Sequence, residues 1–147
     1  MRISLAQAEH IDHLAVLFDQ YRVFYNQASD LDAAKQFLDE RFQHRDSVIF
    51  VAMDNQNMVG FTQLYPSFSS VSMQRVWILN DLFVAENYRK QGVANLLMDA
   101  AEQYAQDTGA VRIVLATQIT NTAAQTLYES RNYVRDEAFY HYALRLH

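Results

Sequence analysis

The run Arg89-Lys90-Gln91-Gly92-Val93-Ala94 places two cations and a glycine between the apolar stretch Leu82-Phe83-Val84 and a segment of helical periodicity. Such a junction offers anion binding, because free backbone N–H groups, the positive end of a helix dipole and cationic side chains converge there. A phosphate or pyrophosphate fits that chemistry. Gly92 lets the backbone approach the anion, and Ala94 keeps the following turn thin. Neither GxxxxGK[ST] nor GxGxxG occurs, so this is not a Walker loop or a dinucleotide fingerprint. The competing reading is a solvated basic connection. A second constellation is Asn121, Ala124 and Tyr128, spaced i, i+3 and i+7 and therefore one stripe of a helix. Its competing reading makes Asn121 an ordinary N-cap and Tyr128 a core aromatic. Third, Asn80 and Asp81 interrupt the apolar run QRVWILNDLFV.

The elements that must position these residues follow from periodicity. Residues 2 to 5 alternate as a short strand. Ile11, Leu14, Phe18, Tyr21 and Tyr25 then mark an amphipathic helix over about 9–25. A second helix begins at Ser29 or Asp30, with Ser29 as N-cap placing Asp32 at the third position, and ends near Arg45. SVIFVAM (47–53), the turn DNQN and MVGFTQLY (58–65) predict a β-hairpin closed by Pro66, with a loop longer than the tightest kind. Simple alternation over 74–84 would bury Asn80 or Asp81. A bulge near Asn80 to Leu82 repairs this.

Val93, Leu96, Leu97, Ala100, Ala101, Tyr104 and Ala105 form the stripe of a third helix, stopped by Gly109. VRIVLAT (111–117) predicts a buried strand, TNTAAQTLYESR a short helix, and NYVRDEAFYHYALRL strand material turning at Arg135-Asp136-Glu137. An antiparallel half followed by a βαβ crossover gives a mixed α/β sheet. In such a crossover both helix N-termini lie at the carboxyl end of the strands, so the two motifs can face one cleft.

Composition bounds the rest. The chain has 147 residues, half of them hydrophobic, and no linker composition divides it, so one domain over 1–147 is expected. There is no cysteine, which excludes disulfides, thiolate metal sites and a cysteine nucleophile and gives no sign of an oxidising compartment. No signal-peptide core or spanning apolar run is visible, and the cytoplasm is the default. A net charge of −5 argues against nucleic-acid binding and suits a cationic substrate. His10 and His13 are spaced for a metal clamp, yet no third ligand is suggested and no metal is expected. His141, between Tyr140 and Tyr142, reads as structural.

Arg89-Lys90-Gln91-Gly92-Val93-Ala94 matches the [RQ]xxGx[GA] pyrophosphate loop of the GNAT family of acyl-CoA-dependent N-acetyltransferases, and NTAAQTLYESRNY matches its NxxAxxLYxxxGY segment. The resemblance covers nearly the whole chain. It departs at Asn132, where the family has Gly, and Asn tolerates the left-handed turn required. The resemblance implies a single-domain acyl-CoA N-acyltransferase fold: a mixed central sheet, flanked by helices, whose fourth and fifth strands splay. Pantetheine would pair with the edge of the fourth strand at Leu82, Phe83 and Val84. The backbone of Gln91 to Ala94 would hold the pyrophosphate of acetyl-CoA, with Arg89 and Lys90 nearby, and Asn121 and Ala124 would meet the pantetheine arm.

Tyr128 would face the sulfur, and a phenol of pKa about 10 can protonate a leaving thiolate whose thiol pKa is about 8.5. Asp81 becomes the candidate for binding the acceptor ammonium or relaying its proton, against a structural role capping bulge amides. YRVFYNQ, FLDERF and WILNDLFV look similar to histone and polyamine acetyltransferases, which would put Tyr21, Tyr25 and Glu40 on the acceptor side. Helical spacing alone makes the two tyrosines core residues. The implied reaction is direct attack of a primary amine, a small cation or polyamine, on the thioester, with CoA as product. A homodimer is admitted by the same resemblance. The rival readings are a non-catalytic acyl-CoA-binding module and a protein-lysine acetyltransferase; Tyr128 and Asn121 beside an intact loop favour an enzyme.

Overall fold

The computed structural model describes residues 1–147, in two compact units, Met1–Ala116 and Thr117–His147. In the first, five strands stand in sequence order: β1 (Arg2–Leu5), β2 (Val48–Asp54), β3 (Asn57–Ser69), β4 (Gln74–Val84) and β5 (Arg112–Val114). The first four pair antiparallel and β5 joins β4 in parallel, the mixed sheet expected. α1 (Ile11–Phe24) and α2 (Leu31–His44) cover one face, α3 (Val93–Asp107) the other.

Alternation decides which residues each face receives. Ile49, Val51, Phe61 and Phe83 meet Leu14, Leu17 and Phe18 of α1 and Leu38 of α2 in one buried cluster. On the opposite face Tyr104 of α3 packs edge-on against Phe50 and Trp77, with ring centroids 5.7 and 5.5 Å apart. The stripe expected for α3 is rotated slightly: Met98 is fully buried and Leu96 is 39% exposed.

The local signals resolve individually. Asp30, not Ser29, caps α2 by accepting from Ala33 N–H at 3.1 Å. Ser29 instead donates to Asp19 Oδ2 at 2.6 Å, and Asp30 N–H donates to Oδ1 at 2.7 Å, so one α1 carboxylate ties down the interhelical loop. The β2–β3 loop is the tight kind after all, since Asp54 pairs with Asn57 and Asn55 takes a positive φ of 54°. Pro66 does not close β3. The strand continues to Ser69, and because β2 begins only at Val48, opposite Leu64, β3 has a neighbour on one side only from there on, where proline is tolerated.

The second unit carries α4 (Thr122–Ser130). Within this unit residues 134–147 form no helix or strand; a strand needs a ladder partner, and the unit by itself contains none. Asn132 has φ 71°, the left-handed turn anticipated for it.

Candidate active site

The feature that most shapes the site is the far half of β4. β5 pairs only with Val76, Trp77 and Ile78, whereas β4 runs on to Val84. Leu79 to Val84 therefore have no β5 neighbour in this unit, the expected splay of the fourth and fifth strands. The bulge is also present: Gln63 faces Asp81 and Leu64 faces Leu79, so Asn80 is the extra residue and points to solvent. Gly60 holds the end of the strand close, because a Cβ there would lie 2.9 Å from the Phe83 carbonyl oxygen.

Beyond β4 the chain turns through Arg89 to Gly92 into α3. Lys90 and Gly92 both have positive φ, 61° and 84°. Gly92 is the N-cap; it has no side chain to offer the first-turn amides, and that turn holds no acidic residue. The positive end of the helix is thus left for an outside anion. A Cβ built on Gly92 meets nothing within 4 Å, which is the open space an approaching phosphate needs. Val93 is buried and anchors the helix start, Ala94 is half-buried, and the Gln91 side chain turns back to the Asn87 carbonyl at 3.1 Å.

Arg89 behaves differently from a free cation. Its Nε donates to the Val84 carbonyl at 2.9 Å, and its guanidinium lies 5.4 Å from the ring centroids of both Phe24 and Phe83. It therefore straps the loop to the end of β4 and to α1, and it engages one carbonyl of the expected pantetheine edge. Lys90 is exposed.

On the α1/α2 face, Asp81 is 5% exposed and accepts two side-chain amides: Gln63 Nε2 on Oδ2 at 2.8 Å and Asn80 Nδ2 on Oδ1 at 3.1 Å. The bonds to its carboxylate come from side chains, not from the bulge backbone amides that a capping role would use. Thr62 and Gln63, both fully buried, were not singled out by sequence reasoning. Their signal was a polar pair inside the otherwise apolar MVGFTQLY strand. Tyr65 has its phenol pushed up to about 12, first by burial and then by the Asp81 charge, so it stays a neutral donor.

Tyr21 packs on Phe61 and Phe83, with centroids 5.7 and 5.8 Å apart, and stacks edge-on with Tyr25 at 5.1 Å. Both tyrosines are half-buried, so they join the aromatic core without being sealed in it. Glu40 accepts from Gln36 one turn back at 3.3 Å, an intrahelical bond that does not tie it to Asp81. His10 Nδ1 accepts the Gln7 N–H at 2.8 Å, a local capping contact.

In the second unit, Asn121 caps α4, its Oδ1 accepting from Ala124 N–H at 3.1 Å. That leaves its amide hydrogens as donors. Tyr128 is half-buried, with its ring 6.1 Å from that of Tyr133.

Residues 13–133 match the Acetyltransferase (GNAT) family, and the chain belongs to it. It is 47% identical over 146 residues to YhfO, an uncharacterised N-acetyltransferase of Bacillus subtilis (strain 168), covering 99% of this chain and 98% of that one. A crystal structure of a probable acetyltransferase superposes with a TM-score of 0.95 at 45% identity, covering 100% of this chain and 99% of the other. The aminoglycoside acetyltransferase AAC(6')-Iy, solved with a bisubstrate analogue built on CoA, shares the fold at a TM-score of 0.82 and 22% identity, with 99% and 98% covered. The protein is accordingly an N-acetyltransferase whose acetyl donor is acetyl-CoA. No helix is long and apolar enough to cross a membrane.

Proposed function

We propose that the protein transfers acetyl directly from acetyl-CoA to a small cationic primary amine, a diamine or polyamine. The observation that carries the acceptor class is the Asp81 carboxylate, fixed by two amide donors at a bulge beside the open half of β4. The net charge of −5 adds a long-range attraction for cations.

Acetyl-CoA supplies the activated thioester. In this reading the backbone of Gln91 to Ala94 at the start of α3 holds the pyrophosphate, with Lys90 adding charge and Arg89 keeping the loop against β4. The edge at Leu82 to Val84 aligns the pantetheine arm, and Asn121 and Ala124 serve the same arm. Asp81 attracts the ammonium and takes its proton, since an alkyl ammonium of pKa about 10 must deprotonate before it attacks. Tyr128 protonates the departing thiolate. Tyr21, Tyr25 and Glu40 line the acceptor side. No covalent enzyme intermediate is required.

The same reading treats residues 1–147 as one acetyltransferase domain acting in the cytoplasm, and as a homodimer by family resemblance, which light scattering measures. Acceptor class is tested by initial rates with diamines, polyamines, amino acids and lysine peptides at saturating acetyl-CoA. The highest kcat/KM should fall on a polyamine or diamine and decline with added salt. A lysine peptide ranking first would replace this acceptor with a protein lysine.

A further inference from the structure

Beneath the β4 bulge the sheet buries a polar group that the reaction has not yet used. Gln63 is fully buried, its Nε2 donates to Asp81 Oδ2 at 2.8 Å, and its Oε1, also buried, has no hydrogen-bond partner. Thr62 reinforces the same point of the strand, donating from Oγ1 to the Asp81 carbonyl at 2.8 Å. An ionised carboxylate only accepts, so the amide must present its N–H₂ to Asp81 and turn its oxygen away. A buried oxygen without a donor is a cost that the fold would avoid by placing an apolar residue here. Its neighbours along this face, Phe61 on β3 and Phe83 on β4, are apolar and pack on α1. Core packing therefore does not account for Gln63, whereas control of the carboxylate does.

We propose that Gln63 is a positioning residue for acetyl transfer, its buried amide fixing the direction in which the Asp81 carboxylate meets the acceptor's proton. The proposal rests on the reading of Asp81 given above. The charged and titratable groups around this spot are Tyr65 on β3, Arg41 on α2, Asp46 on the connection after it, and Tyr21 of α1 over Phe61 and Phe83. Asn80 makes the second bond to Asp81 from an exposed position, where water can replace it.

The test is steady-state kinetics with each substrate varied in turn, in wild type, Gln63→Met, Asn80→Ala and Asp81→Asn. Loss of the buried donor leaves the carboxylate free to turn, so Gln63→Met should lower kcat about tenfold. Asn80→Ala should lower it less, Asp81→Asn should lower it most, and the acetyl-CoA KM should stay unchanged in all three. A kcat that is unchanged in Gln63→Met but falls in Asp81→Asn overturns the Gln63 proposal and leaves Asp81 standing. A kcat unchanged in Asp81→Asn overturns both. Should Gln63→Met not fold, the near-isosteric Gln63→Glu replaces the amide donor by a second carboxyl beside Asp81 and should lower kcat as well; an unchanged kcat there refutes the proposal equally.

Discussion

Gly92 allows the anion site to be tested by charge alone. Asparagine and aspartate have nearly the same bulk, and both tolerate the left-handed conformation that Gly92 adopts at φ 84°. A side chain there enters open space, since a Cβ meets nothing within 4 Å. Gly92→Asn and Gly92→Asp should therefore share the same backbone penalty, up to about 1 to 2 kcal/mol, and lose similar amounts of thermal stability. They differ by one negative charge. At about 6 Å from a phosphate charge and an effective dielectric of about 20, the repulsion is about 3 kcal/mol before screening. Exposure at the loop and physiological salt reduce it to about 1 to 2 kcal/mol, about 5- to 30-fold in Kd. Calorimetry with CoA should show Gly92→Asp weaker than Gly92→Asn by that factor, with the gap closing as salt rises. Equal affinities for the two variants would mean that no phosphate lies at the start of α3.

Tyr128→Phe should keep CoA affinity and lose about tenfold to a thousandfold in turnover, because water replaces the phenol only in part; stopped-flow thiol release reads this, and an unchanged rate across pH removes the general acid. Asp81→Asn should raise the acceptor KM more than the acetyl-CoA KM and blunt its salt dependence in steady-state kinetics. Tyr65 is an acid whose folded value, about 12, lies above its ordinary 10.0, so its contribution to stability is full below pH 10 and is lost as pH rises toward 12; Tyr65→Phe should delete the latest step of the tyrosine absorbance titration. Asp19 is held below its ordinary 3.8 by the Ser29 hydroxyl first and the Asp30 N–H second, so its contribution is full above that value and is lost as pH falls below it; Asp19→Asn should flatten the acid side of the melting-temperature profile.

The sequence made some features legible because a local rule governs them. Asn80 and Asp81 in an apolar strand required a bulge, and the register shift falls at Asn80. Gly92 before a helical stripe required an uncapped helix start, and that is its place. Other features depend on partners distant in sequence. Pro66 looked like a strand end because its tolerance depends on where β2 begins. Arg89 looked like a free phosphate ligand because Phe24 and Phe83 meet its guanidinium only after α1 folds onto the sheet. Gln63 stood out only as a polar residue in an apolar strand, and its role stayed hidden for the same reason: its partner lies 18 residues away in sequence, on the neighbouring strand.

The central claim is direct acetyl transfer to an amine, and a single-turnover experiment tests it most directly. The protein, mixed with one equivalent of acetyl-CoA, is followed for free thiol while mass spectrometry monitors the chain and the acceptor. Without amine, the thioester should persist and the chain mass should stay unchanged. With a polyamine, one thiol and one acetylated amine should appear together. Thiol release without amine, an acetylated chain competent to pass its acetyl on, or bound acetyl-CoA that yields no product with any amine would contradict the account.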